Sequence, residues 1–145
     1  MNEPSQTTEA LTRGEGFHVL KQLIEPATAH EVRDYVLAHL DEAQENQPGD
    51  TNLINLLDHG PMFESLVTNP RLLAVVHELL GEDAKLAAFS AKTLMPGCGK
   101  GRLHVDYPYW AMDPGMPVEP ALMMQVIWMM QPVNSENGGT WVAPG

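Results

Sequence analysis

One cysteine, Cys98, stands in the 145 residues. No internal disulfide can form, and nothing in the sequence demands an oxidising compartment, so a cytoplasmic protein is expected. Basic residues are scarce: 8 Lys and Arg against 19 Asp and Glu leave a formal charge of −11. That balance excludes a phosphate-backbone partner, because nucleic-acid affinity comes largely from Lys and Arg displacing counterions, and an anionic membrane would repel the chain as well. Long apolar runs are missing. The longest, near residues 123–130, is interrupted by Gln125 and too short to span a bilayer, and the polar start of the chain has no apolar segment of the secretory kind. There is no internal repeat and no low-complexity segment. The loop PGCGKG lacks the GxxxxGK[ST] pattern and has no helix after it, so it is a turn rather than a phosphate cradle.

The length suits one domain, residues 1–145, with residues 1–15 read as a flexible tail because they are polar and aperiodic. GFHVLKQLI, residues 16–24, has the composition of a strand. A helix is predicted over residues 28–43, where Thr28 and Glu31 fit a capping box and Val32, Tyr35, Val36, Leu40 and Ala43 form one apolar stripe. ENQPGDTN, residues 45–52, is turn chemistry, and short helical pieces follow around a His59-Gly60-Pro61 break. Asn69 and Pro70 open a further helix that Gly81 ends, with Leu72, Leu73, Val75, Val76, Leu79 and Leu80 as its apolar face. Beyond Lys85 the pattern turns extended: LAAFSAKTLM, RLHVDYPYW, ALMMQVIWMMQPV and GTWVAPG are strand candidates separated by Pro, Gly and Asn clusters. Helices first and strands later predict an α+β fold with helices laid on one side of an antiparallel sheet.

The stretch GRLHVDYPYW concentrates chemistry. With only three Trp, three Tyr and three Phe in the chain, it places Tyr107, Tyr109 and Trp110 beside His104-x-Asp106. On a strand, His104 and Asp106 project from one face with Cα atoms roughly 7 Å apart. An imidazole nitrogen and a carboxylate oxygen converging this way supply two of the three ligands of a 2-His-1-carboxylate triad on Fe(II). The alternative is an ordinary His–Asp hydrogen bond on a half-exposed strand. Tyr109 and Trp110 are candidates for the pocket wall if a metal is held there, and core cover otherwise. His18, His30, His39, His59 and His77 are scattered without ligand spacing, which reads as surface or helix-end histidines rather than a zinc site. Cys98 has no motif that sets a base beside it. Nine methionines, four of them in MMQVIWMM, fill core or line an apolar cavity.

Taken in order, GFHVL, the helix after Thr28, NPRLLAVVHELLG, LHVDYPYW and PVNSENGGTWVAPG resemble the phytanoyl-CoA dioxygenase family of Fe(II)/2-oxoglutarate oxygenases over nearly the whole chain. The resemblance implies a double-stranded β-helix, a cupin-like jelly roll, with an N-terminal helical layer. It also implies His104 and Asp106 as iron ligands, 2-oxoglutarate as co-substrate, molecular oxygen, and hydroxylation of a small organic substrate. Thr93 and Gln125 occupy positions whose equivalents often face 2-oxoglutarate; strand parity could instead turn Lys92 inward, and Met95 stands where many members carry Lys. The family's second histidine and its 2-oxoglutarate-binding arginine lie downstream of the ENG turn, whereas here no His follows His104 and the last Arg is Arg102. The resemblance thus implies an N-terminal portion of a longer protein, with the jelly roll incomplete and this chain alone inactive. A reading from another class is a non-catalytic jelly-roll binding module.

Overall fold

The computed structural model describes residues 2–99, 101–106, 113 and 120–144. Helices α1 (Glu3–Thr12) and α2 (Pro26–Ala38) come first, then a hairpin of β1 (Gln44–Gln47) and β2 (Asp50–Leu53). A 3-10 turn (Leu56–His59), α3 (Pro61–Val67), α4 (Pro70–Leu80) and β3 (Ala91–Leu94) follow. The result is a mixed fold of helices with one small antiparallel sheet, ordered β1-β2-β3.

Local chemistry explains most of these elements. Asn69 caps α4 as expected: its Oδ1 accepts from the backbone N–H groups of Arg71 and Leu72 at 3.0 and 3.3 Å, satisfying donors that a helix start otherwise leaves orphaned. Pro70 occupies the first turn and Gly81 ends the helix. The Pro48-Gly49 pair turns the hairpin. Gly49 has φ +79°, and a Cβ there would come within 3.2 Å of Cys98 Cβ, so the turn favours glycine. Val32 and Val36 from α2, Leu53, Leu56, and Phe63 and Leu66 from α3 bury one another in the core. Ala91, Phe89, Trp128 and Met130 pack around it.

Several expectations are corrected. Residues 3–12 are not a bare tail but helix α1, begun by Asn2, whose side chain accepts from Ser5 N–H at 3.0 Å, and packed on α4. The absence of an apolar stripe hid it. Residues 16–24 form no strand: the carbonyls of Gln22 and Lys21 accept from the Arg71 guanidinium and that of Leu23 from Asn69 Nδ2, so α4 side chains take the groups a ladder would use. The helix predicted from Thr28 starts at Pro26, whose fixed φ sets the first turn, with Glu25 as a cap that makes no side-chain bond; the Thr28–Glu31 capping box is absent. It ends at Ala38, and Leu40 to Ala43 continue as turns. Residues 45–52 are hairpin strands as well as turn.

The largest correction concerns the sheet. It is built from the hairpin and β3, whereas the described parts of RLHVDYPYW, ALMMQVIWMMQPV and GTWVAPG form no strand. Extended composition makes a strand only where a partner supplies ladder hydrogen bonds. Three strands fall short of the eight that make a jelly roll, and the described residues do not form one by themselves.

Candidate metal-binding site

β3 leads into the Met95–Cys98 turn, closed by Cys98 N–H on Met95 O at 3.1 Å, and the chain then delivers residues 101–106. There the His104 imidazole is held at both nitrogens. Nδ1 donates to the Arg102 carbonyl at 2.8 Å, and Nε2 lies 3.3 Å from Asp106 Oδ1. The two side chains therefore share one side of their segment and converge on one point. Two donors at right angles on one metal, each with a bond of roughly 2.1 Å, stand about 3 Å apart. The pair is close to that separation, and a nitrogen with a carboxylate oxygen is the donor set that Fe(II) accepts.

The pair is open to solvent, with His104 72% and Asp106 50% exposed at the side chain. Among the described residues no third His, Cys, Asp or Glu joins them to make a three-donor group. The arrangement can present two donors in the relation that a metal would need.

The other candidates are placed as follows. Thr93 is half-buried on β3, opposite Thr51 of β2, and shares its sheet face with Ala91, which packs on the core. Lys92 faces the other way. Its Nζ pairs with Asp50 Oδ2 at 3.1 Å on the sheet face away from Ala91, while Asn46 Nδ2 approaches the other oxygen of that buried carboxylate at 3.3 Å. Gln125 is exposed and belongs to no strand. Tyr109 and Trp110 lie outside the described residues. Cys98 is half-buried, its thiol directed at the Gly99 carbonyl at 3.6 Å.

The ENG segment forms a self-capped turn. Asn134 Oδ1 accepts from the N–H groups of Glu136 and Asn137 at 2.8 and 3.2 Å, and Asn137 Oδ1 accepts from Asn134 N–H at 2.6 Å. Gly139 N–H closes on the Asn134 carbonyl at 2.9 Å, and a Cβ on Gly139 would sit 2.7 Å from that oxygen. Asparagine amides supply the turn's hydrogen bonds, and the close approach requires the glycine.

One cluster escaped the sequence reading. His39, at the C-terminal end of α2, stacks on Tyr35 with centroids 3.9 Å apart, and Tyr35 Oη shares a 3.2 Å hydrogen bond with His59 Nδ1. Phe63 meets Tyr35 edge-on at 5.4 Å. The i, i+4 spacing of Tyr35 and His39 on one helix was the available signal. His18, His30 and His77 are exposed, as expected.

A family model described as Phytanoyl-CoA dioxygenase (PhyH) matches residues 12–145. The chain is 26% identical over 135 residues to a curated protein named Dioxygenase af480 from Aspergillus fumigatus. That alignment covers 93% of this chain and 42% of the relative, so the chain spans less than half of the relative's length. No solved structure matches it. Among the described residues no helix is long and apolar enough to cross a membrane.

Proposed function

We infer the function from one premise: the chain belongs to the phytanoyl-CoA dioxygenase family. It is part of an Fe(II)- and 2-oxoglutarate-dependent dioxygenase that hydroxylates a small organic substrate with molecular oxygen. His104 and Asp106 provide two of the iron ligands. The observation that carries this reading is the 3.3 Å approach of His104 Nε2 to Asp106 Oδ1.

Bound iron supplies oxygen activation coupled to oxidative decarboxylation of 2-oxoglutarate. The residues of this chain have simpler tasks. His104 gives a neutral nitrogen donor and Asp106 an anionic oxygen that offsets part of the metal's charge. Thr93 and Gln125 are assigned to the 2-oxoglutarate side of the site and Tyr109 and Trp110 to the substrate wall, by their places in the sequence. The 42% share of the relative leaves room for further segments. Those segments would supply the second histidine and the carboxylate-binding arginine, complete the jelly roll and exclude water from the metal.

The test is an anaerobic titration of the full-length protein with Fe(II) and 2-oxoglutarate, following the visible charge-transfer band. The band is expected in the wild type and lost in both His104→Ala and Asp106→Ala. An undiminished band in the two variants overturns the assignment. No band in the wild type, with an apolar small molecule still bound, favours the non-catalytic jelly-roll module.

A further inference from the structure

His104 has two ring nitrogens, and its surroundings distinguish them. Nδ1 lies 2.8 Å from the main-chain carbonyl oxygen of Arg102. A carbonyl only accepts, so this contact forms only when Nδ1 carries a proton. In the neutral ring that is the single proton, and Nε2 is left with its lone pair. Nε2 is also the nitrogen that stands 3.3 Å from Asp106 Oδ1. A ring free of the carbonyl could instead place its proton on Nε2 and donate it to Asp106, an ordinary His–Asp hydrogen bond that leaves no lone pair toward a metal.

Resting on the metal reading above, we propose that the Arg102 main-chain carbonyl is a positioning group that fixes the tautomer of His104 and so selects Nε2 as its metal-donor atom. A metal-ligating imidazole keeps its orientation through a hydrogen bond from its other nitrogen, and main-chain carbonyls are among the usual acceptors. Here the acceptor sits two residues before the histidine and the second donor two residues after it. A five-residue segment, Arg102 to Asp106, thus contains the acceptor, the ring and the carboxylate. The neutral ring then holds a lone pair facing a carboxylate oxygen, an arrangement that like charge density disfavours and a cation between the two relieves. The side chain of Arg102 takes no part, so the residue type at position 102 is free to vary while the position's carbonyl is not.

The experiment is long-range proton–nitrogen correlation NMR on the intact protein with nitrogen-15 histidine, at about pH 8, on the alkaline side of the histidine range. Zn(II) serves as the diamagnetic probe. His104→Gln assigns the signals. The expected pattern is a protonated-type Nδ1 and an unprotonated-type Nε2 at His104, with Zn(II) displacing the Nε2 resonance. Arg102→Ala should leave both features in place, because only its side chain is removed. Asp106→Asn should keep the tautomer while weakening the Zn(II) response. A dominant Nε2–H form, or a Zn(II) shift centred on Nδ1, overturns the proposal. An Nδ1–H form that ignores Zn(II) upholds the Arg102 contact and overturns the metal reading, so the two failures are told apart.

Discussion

The helices and hairpin between Pro26 and Leu94 differ from the segments after Gly99 in where their partners come from. In the first region each element is completed by another: Phe63 of α3 is 0% exposed against α2, the hairpin strand β2 and Phe89. Asp50 at the head of the central strand is held by Lys92 from β3 and Asn46 from β1. In the second region, among the described residues, hydrogen bonds join near neighbours at two places, His104 to Arg102 and Asn134 to Asn137. Several of its apolar side chains stay open, Leu103 at 74%, Ile127 at 52% and Trp141 at 72%, while Trp128 and Met130 pack against the core. An apolar group contributes to folding only through area removed from water. The candidate site therefore gets its local shape from its own five residues, and little of its stability from tertiary packing.

Substitutions test that contrast directly. Phe63→Ala should cost about 3–5 kcal/mol, the range for emptying a fully buried aromatic site. Set against a total stability of roughly 5–15 kcal/mol for a folded domain, this removes a large share of the stability. Leu103→Ala should stay within about 0.5 kcal/mol. Urea denaturation followed by circular dichroism compares the two; similar losses would mean that the region after Gly99 is as firmly packed as the core. A smaller effect is expected at the sheet. Lys92→Met leaves the Asp50 carboxylate, 8% exposed at its side chain, with Asn46 as its remaining partner, a loss of about 1–3 kcal/mol. The exposed Glu9–Arg13 pair supplies the control, since Glu9→Gln should change stability by only a few tenths of a kcal/mol. An equal response at both sites would mean that Asp50 is hydrated after all.

The same contrast decides what could be read from the residues. α4 was legible because its signals are internal: Asn69 caps it, Pro70 opens it, Gly81 stops it, and only the partner of its apolar face lay elsewhere. For His104 and Asp106 the expected convergence rested on strand alternation, whereas residues 101–106 form no strand and the two side chains meet on an irregular segment. The strand composition of residues 16–24 misled because its carbonyls are taken by Arg71 and Asn69, more than forty residues away. The extended segments after residue 120 misled in the same sense: β composition states a preference, and a partner strand decides the outcome. The Arg102 carbonyl had no signal at all, being main chain, and the Tyr35–His39–His59 contact needed α2 and the 3-10 turn to be brought together.

Helix α1 provides the smallest and most conditional test. The family match begins at residue 12, the last residue of α1, so nearly all of this helix lies before it. Its docking on α4 rests on Arg71, whose Nε donates to Glu3 Oε2 at 2.9 Å while Nη1 holds the Gln22 carbonyl at 2.9 Å. The Arg71 hydrogen bond is the main reason that the Glu3 carboxyl sits below its ordinary value, with desolvation opposing it; the pairing raises Arg71 in turn. A carboxyl with a lowered value in the docked state binds fewer protons there than when released. Its contribution is therefore complete above the ordinary glutamate range and is lost as pH falls through that range toward the lowered value. Hydrogen-exchange protection of the α1 amides should stay level from pH 8 to pH 6 and drop under acid, while α4 remains protected. Glu3→Gln should show the weaker protection at every pH and lose the acid step. An acid step that survives in this variant would assign it to another carboxylate, with Glu78, which accepts from Ser5 Oγ at 3.3 Å, the next candidate along the same interface.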